Sequence, residues 1–350
     1  MEEARRLLRE AFGHSSFKSE LQAAVVEALV GGAGSPDRPS FSQLPQPRDV
    51  LVCMPTGGGK SLCYQLPGLV RGGVTVVVSP LIALMEDQVR QLHALGLSAT
   101  VFNGTLPAAE IERILGDLHA TEARRPPQVR FLYTTPESLL GGALAGALRH
   151  LYSCGQLALM CIDEAHCVSE WGHDFRPAFA RLGRVRARLP KVPFIAVTAT
   201  ATSAVQRDIV NTLGLVDVRV FRSPCARPNL RLEVALKDHL GQSPFADLVE
   251  FIKAVGAGNG ALCGIVYELK RDGCEALATM LSAAGIPSLA YHGGMGGERR
   301  RDVQAQWLGG LVNVGGRVMG RDTAGLNFHA VKLDDGSSAM RSVHYNRNNP

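Results

Sequence analysis

From residue 50 onward, short apolar runs rich in β-branched residues alternate with stretches of helical character. No other feature of the chain constrains its fold as much. The runs are DVLVCMP, VTVVVSP, VRFLYTTP, LALMCIDEA and VPFIAVTAT. Between them lie SLCYQLPGLV, LIALMEDQVRQLHAL, AAEIERILGDLHA and SAVQRDIVNTLGL. Strands that alternate with helices in this way form a parallel sheet covered on both faces. The block ends near Leu215. A second alternation starts at ALCGIVYEL and continues through the helix CEALATMLSAAG, the strand SLAYHGG and the helix ERRRDVQAQWL. The expected class is α/β with two sheet domains, and 350 residues are enough to give each a core.

The intervening segments read differently. Residues 3–30 form one or two helices broken at FGHSS, and GGAGSPDRPSFSQLPQPRD has neither period nor apolar face and reads as a flexible linker. Residues 216–240 read as a connector, with SPCARPNL marking irregular chain. After Leu308 the pattern fades into a stretch rich in Gly and Asn with no sustained period of 2 or 3.6. No run reaches the roughly 18 apolar residues of a membrane span, and MEEARRLLREAF has no signal-peptide core. An intracellular protein without membrane contact is expected. The net charge of +5 is a mild hint of a polyanionic partner. The eight cysteines include no CxxC pair, so no zinc site is expected, and Cys53, Cys161 and Cys263 lie in apolar runs as small buried hydrophobes. RLGRVRARLP reads as a solvated helix face rather than an import signal.

MPTGGGKS, residues 54–61, carries the first chemical signal. Its glycines let the backbone curl so that successive N–H groups point at phosphate oxygens. Lys60 would reach the β/γ-phosphates and the Ser61 hydroxyl would ligate Mg²⁺. The run follows a strand and opens a helix, as a phosphate loop must. Met54 stands where the strict pattern has its first glycine, so the alternative of a Gly-rich turn with an exposed lysine stays open on this stretch alone. LALMCIDEAH then places Asp163 and Glu164 at the end of an apolar strand. One carboxylate there can hold Mg²⁺ while its neighbour orients and deprotonates an attacking water. VTAT (197–200) and SPLIALMEDQV (79–89) fall at further strand ends, on the edge where open parallel sheets bind ligands. AHCVSEWGHDFRP mixes His166, Trp171, His173, Phe175 and Arg176. Aromatics beside cations suit base stacking and phosphate contact, and equally a loop anchored to the core.

Taken together, MPTGGGKSLCYQLP, SPLIALMEDQV, LYTTPE, IDEAHCVSEWGHDFRP and TATAT resemble the RecQ family of DNA helicases, over roughly residues 9–307. The resemblance implies two RecA-like P-loop domains, ATP and Mg²⁺ as cofactors, and 3′–5′ movement along DNA, single-stranded or as a 3′-tailed duplex. It implies a nuclear protein of DNA repair, recombination or replication. Gln22 looks like the family's adenine-reading glutamine, with Lys18 where an adenine-stacking arginine is usual. The phosphate contacts fall to Thr56, Gly57, Gly58, Gly59, Lys60 and Ser61, the metal to Ser61 and Asp163, and hydrolysis to Lys60, Asp163, Glu164 and His166. Trp171, His173, Phe175, Arg176, Thr198 and Thr200 match coupling motifs. In the second domain Tyr267 and His292 match DNA-contacting ones.

Three departures qualify the match. The linker at 31–48 is longer than the family's turn, a change that costs little loop entropy. Past Trp307 the family's glycine-methionine-glycine and arginine motifs are missing. GGRVMGRDTAG does not replace them, and Arg317 and Arg321 lack the spacing. The family's zinc-binding and winged-helix regions are missing too. The expected organisation is N-terminal helices at 1–30, a linker at 31–48, an ATP-binding domain at 49–222, an incomplete second domain at 223–308, and a non-matching disordered tail at 309–350. A helicase lacking its arginine finger should turn over slowly, since such a finger is worth about 10³–10⁵ in rate in GTPases. The alternatives are a non-catalytic isoform that binds ATP and DNA, and an unrelated P-loop kinase.

Overall fold

The computed structural model describes residues 1–30, 48–120, 126–169, 175–199, 201–224, 230–234, 243–259, 264–308, 313–317, 326–332 and 340–346. The chain divides into two compact units, Met1–Cys225 and Ala226–Pro350.

The first unit begins with helices α1 (Glu2–Glu10) and α2 (Glu20–Val30). Its strands are β1 (Val50–Cys53), β2 (Val74–Val78), β3 (Ala99–Phe102), β4 (Phe131–Thr134), β5 (Leu157–Ile162), β6 (Phe194–Thr198) and β7 (Arg219–Arg222). They form one sheet in the order β3-β4-β2-β5-β6-β1-β7, with every pairing parallel. Helices α3 (Leu62–Arg71), α4 (Ile82–Ala94), α5 (Ala108–His119), α6 (Pro136–Leu140), α7 (Gly142–Ser153), α8 (Pro177–Ala180), α9 (Gly183–Arg188) and α10 (Ser203–Leu213) connect the strands.

The unbroken apolar runs now have a physical reason. Along β1, Leu51 and Cys53 pack into one hydrophobic layer, while Val50 and Val52 pack into the other. On β5, Met160 and Ile162 face the first layer and Leu159 and Cys161 the second. Side chains of a strand alternate faces, so two buried faces demand an apolar residue at every position. Helix α3 comes so close to β2 that a Cβ on Gly68 would overlap the Thr75 hydroxyl. At the amino ends of the strands Asp49 acts as a staple. Its carboxylate accepts hydrogen bonds from Arg186 Nε at 2.7 Å, Val216 N at 2.7 Å and Phe194 N at 3.0 Å. Arg186 is buried, so RLGRVRARLP is not wholly a solvated face. Residues 219–222, read from sequence as part of a connector, form the edge strand β7. Only its Phe221 is buried, too little apolar pattern for a strand to show in the sequence.

The second unit contains β8 (Leu230–Val234), α11 (Pro244–Asn259), β9 (Ile265–Glu268), α12 (Arg271–Ala283), β10 (Ser288–Tyr291), α13 (Gly297–Leu308), β11 (Asn313–Arg317), β12 (Leu326–Lys332) and β13 (Met340–Asn346). The sheet order is β10-β11-β9-β12-β13-β8. This corrects two expectations. The stretch after Leu308 is not wholly unstructured, and the second domain does not end at residue 308: β11 pairs in parallel with both β10 and β9. Nor is this sheet all parallel, because β12 runs antiparallel to β9 and β13. The signal in NVGGR is weak because two of its residues are glycines. Strand identity there comes from the neighbours that the backbone pairs with, not from a side-chain pattern.

Candidate functional site

The loop between β1 and α3 carries two glycines in conformations closed to other residues. Gly57 has φ 78° and Gly59 φ 87°, which only glycine adopts without strain. A Cβ on Gly59 would also overlap the Gln22 side-chain amide. The loop closes on itself through Gly58 N donating to Pro55 O at 2.9 Å. Lys60 folds back over it, Nζ donating to Met54 O at 3.3 Å. So Met54, the departure from the strict glycine pattern, gives its carbonyl to the lysine and buries its side chain in the core. Ser61 stands at the start of α3.

Gln22 and Lys18 approach the same loop. Gln22 is buried and donates from Nε2 to Gly59 O at 3.1 Å, while its Oε1 accepts from Lys18 N at 2.9 Å. Lys18 Nζ donates to Gly57 O at 2.6 Å. The residues expected to face an adenine thus also tie the helix α2 region to the phosphate loop. These contacts join positions about forty residues apart, and no local pattern announces them.

At the end of β5, Asp163 N donates to Val78 O at 2.8 Å, which extends the sheet pairing into the acid pair. Glu164 N donates to Asp163 Oδ1 at 3.0 Å. Burial, then the charge of Glu164, pushes the Asp163 carboxyl up to about 6, with Lys60 opposing. Glu164 itself is left-handed, with φ 48° and ψ 46°, a conformation costing a non-glycine residue roughly 1–2 kcal/mol. The sharp turn brings its carboxylate within 3.3 Å of His166 Nδ1, which also lies 3.0 Å from Thr198 Oγ1. His166 Nδ1 lies between the Glu164 carboxylate and the Thr198 hydroxyl. Glu164, His166 and Thr198 therefore form a continuous polar chain from the end of β5 to the end of β6.

Arg176 joins a third strand end to this edge. Its Nη1 donates to Pro80 O at 3.1 Å, and its backbone N donates to Cys167 O at 3.0 Å. The sequence had Arg176 among the coupling residues but gave no hint of this bond to the SPL stretch. Ser79 is buried, and its Oγ accepts from Leu81 N at 2.9 Å. Phe175, Leu81 and Ile82 keep exposed apolar surface here. Trp171, His173 and Thr200 lie outside the described residues. In the second unit Tyr267 sits on β9 and His292 just after β10. His292 is buried, accepts at Nδ1 from Gly294 N at 3.3 Å, and so donates from Nε2 to Glu275 Oε1 at 3.2 Å. Among the described residues no group of three or more His, Cys, Asp or Glu could hold a metal ion, and no helix is long and apolar enough to cross a membrane.

A phosphate loop opening a helix, an Asp-Glu-Ala-His turn at a strand end two places along the sheet and a parallel sheet in this order have counterparts among known proteins. Residues 37–208 match the DEAD/DEAH box helicase family. Solved structures share the fold over 91% of the chain. They include the helicase MrfA bound to DNA, at TM-score 0.68, 18% identity and 44% of that chain. Another is the Mycobacterium smegmatis helicase Lhr, at TM-score 0.61, 21% identity and 41% of that chain. Fold and site together define a RecA-like DEAD/DEAH-box helicase domain.

Sequence relatives narrow the class. "ATP-dependent DNA helicase Q5" of Mus musculus is 43% identical over 310 residues, 87% of this chain and 30% of that protein. "ATP-dependent DNA helicase hus2/rqh1" of Schizosaccharomyces pombe is 42% identical over 275 residues, 76% of this chain and 20% of that one. "RecQ-like DNA helicase BLM" of Xenopus laevis is 37% identical over 307 residues, 87% and 21% respectively. The chain belongs to the RecQ family of DNA helicases. It spans under a third of the length of these three relatives.

Proposed function

We propose that the chain is an ATP-dependent DNA motor of RecQ type, moving 3′–5′ on single-stranded DNA and acting in nuclear DNA repair, recombination or replication. The observation that carries this reading is the Glu164–His166–Thr198 chain of hydrogen-bonding groups. It gives the hydrolytic carboxylate a physical link to the strand end where DNA-responsive motifs gather.

The residues present fit ATP with Mg²⁺. The glycine loop offers backbone N–H groups and a lysine. Ser61 and Asp163 offer the hard oxygen donors that Mg²⁺ prefers. Bound ATP supplies the phosphoryl group whose transfer drives movement. Within the chain, Thr56, Gly57, Gly58, Gly59 and Lys60 hold phosphates, and Gln22 and Lys18 hold the base. Glu164 orients and deprotonates the attacking water. His166 and Thr198 transmit the state of the site, with Trp171, His173, Phe175, Arg176 and Thr200 on the DNA side and Tyr267 and His292 on the second unit. Residues 309–350 lack the family's Gln-Glu-x-Gly-Arg-Ala-Gly-Arg pattern. The missing pattern is the ground for expecting slow turnover with nucleotide and DNA binding retained.

The test is Mg²⁺-dependent binding of a fluorescent ATP analogue and unwinding of a 3′-tailed duplex. Expected are nucleotide binding lost by at least tenfold in Lys60→Ala and slow or absent unwinding. Nucleotide binding indifferent to Lys60→Ala overturns the site. Fast unwinding abolished by Lys60→Ala overturns the slow turnover.

A further inference from the structure

The basic stretch RLGRVRARLP is only partly used by the fold. Arg186 turns inward to Asp49, whereas Arg181, Arg184 and Arg188 stay exposed. These three, with the exposed Arg149 of α7, rim a cleft of about 230 Å³. Its apolar lining includes Leu140, Leu148, Val185 and Leu189. All of it lies within the first unit, and it shares no residue with the phosphate loop or the acid turn.

Several arginines on other helices of the same unit are paired, although Arg5, Arg9 and Arg207 make no ion pair among the described residues. Arg6, Arg90 and Arg113 are each neutralised by a carboxylate three residues earlier, at 2.6, 3.0 and 2.6 Å. Arg149, Arg181, Arg184 and Arg188 make no ion pair or side-chain hydrogen bond among the described residues. Carboxylates are sparse nearby: residues 138–162 and 175–207 contain no Asp or Glu, the latter stretch holds seven Lys and Arg, and Glu137 of α6, next to the lining, forms no ion pair with the four arginines among the described residues. Four cations around one apolar floor repel one another, and among the described residues no ion pair offsets that.

We propose that this cleft docks an acidic segment of a partner protein, one large apolar side chain seated on the leucine floor and carboxylates to either side held by the arginines. Guanidinium groups pair with carboxylates in a two-pronged geometry. The volume suits a side chain and falls below the roughly 300–1,000 Å³ of pockets that enclose a small-molecule ligand. Nucleic acid fits the charge but not the floor. No aromatic ring lines the cleft, so a base finds no stacking surface, and a phosphate has no use for leucine. The proposal does not rest on ATP binding.

The test uses the full chain and a short fluorescein-labelled peptide of glutamates around a central leucine, read by anisotropy. A matched peptide carries serine in place of the leucine, and a labelled oligo-dT is the third probe. The leucine peptide is expected to bind, and the serine peptide to bind about tenfold more weakly or worse, the effect of burying one leucine. The double variant R184E/R188E should lose the leucine peptide, with its melting temperature confirming the fold. Equal binding of both peptides overturns the proposal, because it makes the cleft a diffuse cation patch. So does no binding by the unmodified chain. Competition by oligo-dT, with oligo-dT binding also lost in R184E/R188E, overturns it in favour of a DNA track.

Discussion

In the first unit the five interior strands are buried at every residue, and their side chains pack into two separate layers. In the second, β9 is an interior strand too, yet only Val266 of it is buried. The described core there gathers around Leu248, Ile252, Val266, Leu281 and Ile286. A strand held on both faces fixes the direction in which its last residue leaves the sheet. The phosphate loop after β1, the SPL stretch after β2, the acid turn after β5 and Thr198 at the end of β6 all use this. Precise chemistry sits on the rigid scaffold, and β9 and β10 of the second unit are less deeply buried.

The sharpest way to break that comparison is at the staple. Asp49→Ala leaves Arg186 buried and unpaired, and should cost the first unit about 3–5 kcal/mol. Chemical denaturation should show an early transition for that unit with the second unit's unchanged. A single shifted transition would mean the units do not unfold separately.

Leu281→Ala is the counterpart. Leu281 is buried in the small cluster, and its truncation should cost the second unit about 2–4 kcal/mol, leaving nucleotide binding by the first intact. Loss of nucleotide binding would contradict the assignment of the site to one unit.

Asp163→Asn should move stability the other way. Burial and Glu164 hold this carboxyl at about 6, above its ordinary 3.8. The folded chain therefore binds the proton more tightly than the unfolded chain does. The stability this group contributes is complete below 3.8 and is lost as pH rises through about 6. At pH 7, Asp163→Asn should stabilise the nucleotide-free chain by on the order of 2 kcal/mol. The gain should shrink as pH falls below 6, where the native carboxyl takes up its own proton. A destabilised variant at pH 7 would show that Asp163 holds the fold rather than a ligand. Smallest of all should be Glu275→Ala. Its bond to His292 is partly open to water, and its removal should shift stability by less than about 1 kcal/mol.

How much of this is legible in sequence follows from whether the signal is local. The interior strands of the first unit and the phosphate loop declare themselves within a few residues, because two-faced burial and tight turns dictate residue type directly. The Asp49–Arg186 staple spans 137 residues and leaves no mark on either side. The bond from Arg176 to Pro80 spans 96 and is equally silent. Helix α11 hides because PFADLVEFIKAVGAGN ends in glycines that blur its period. Strands β11 to β13 hide because glycines interrupt the first, and because the hairpin of the other two runs against the parallel pattern set by earlier strands. The resemblance assigns Glu164 and His166 to hydrolysis and Thr198 to coupling, and nothing in the sequence indicates that the three meet.

Coupling of DNA to nucleotide through that polar chain is directly measurable. The most direct measurement is the affinity of the chain for ATP with Mg²⁺, with and without a single-stranded oligonucleotide, in the native sequence and in His166→Ala. Linkage requires that if ATP alters DNA affinity, DNA alters ATP affinity by the same factor. The account predicts a DNA-dependent ATP affinity in the native chain, and in His166→Ala the same ATP affinity with the dependence gone. An ATP affinity blind to DNA in the native chain, or a dependence that survives His166→Ala, would contradict it.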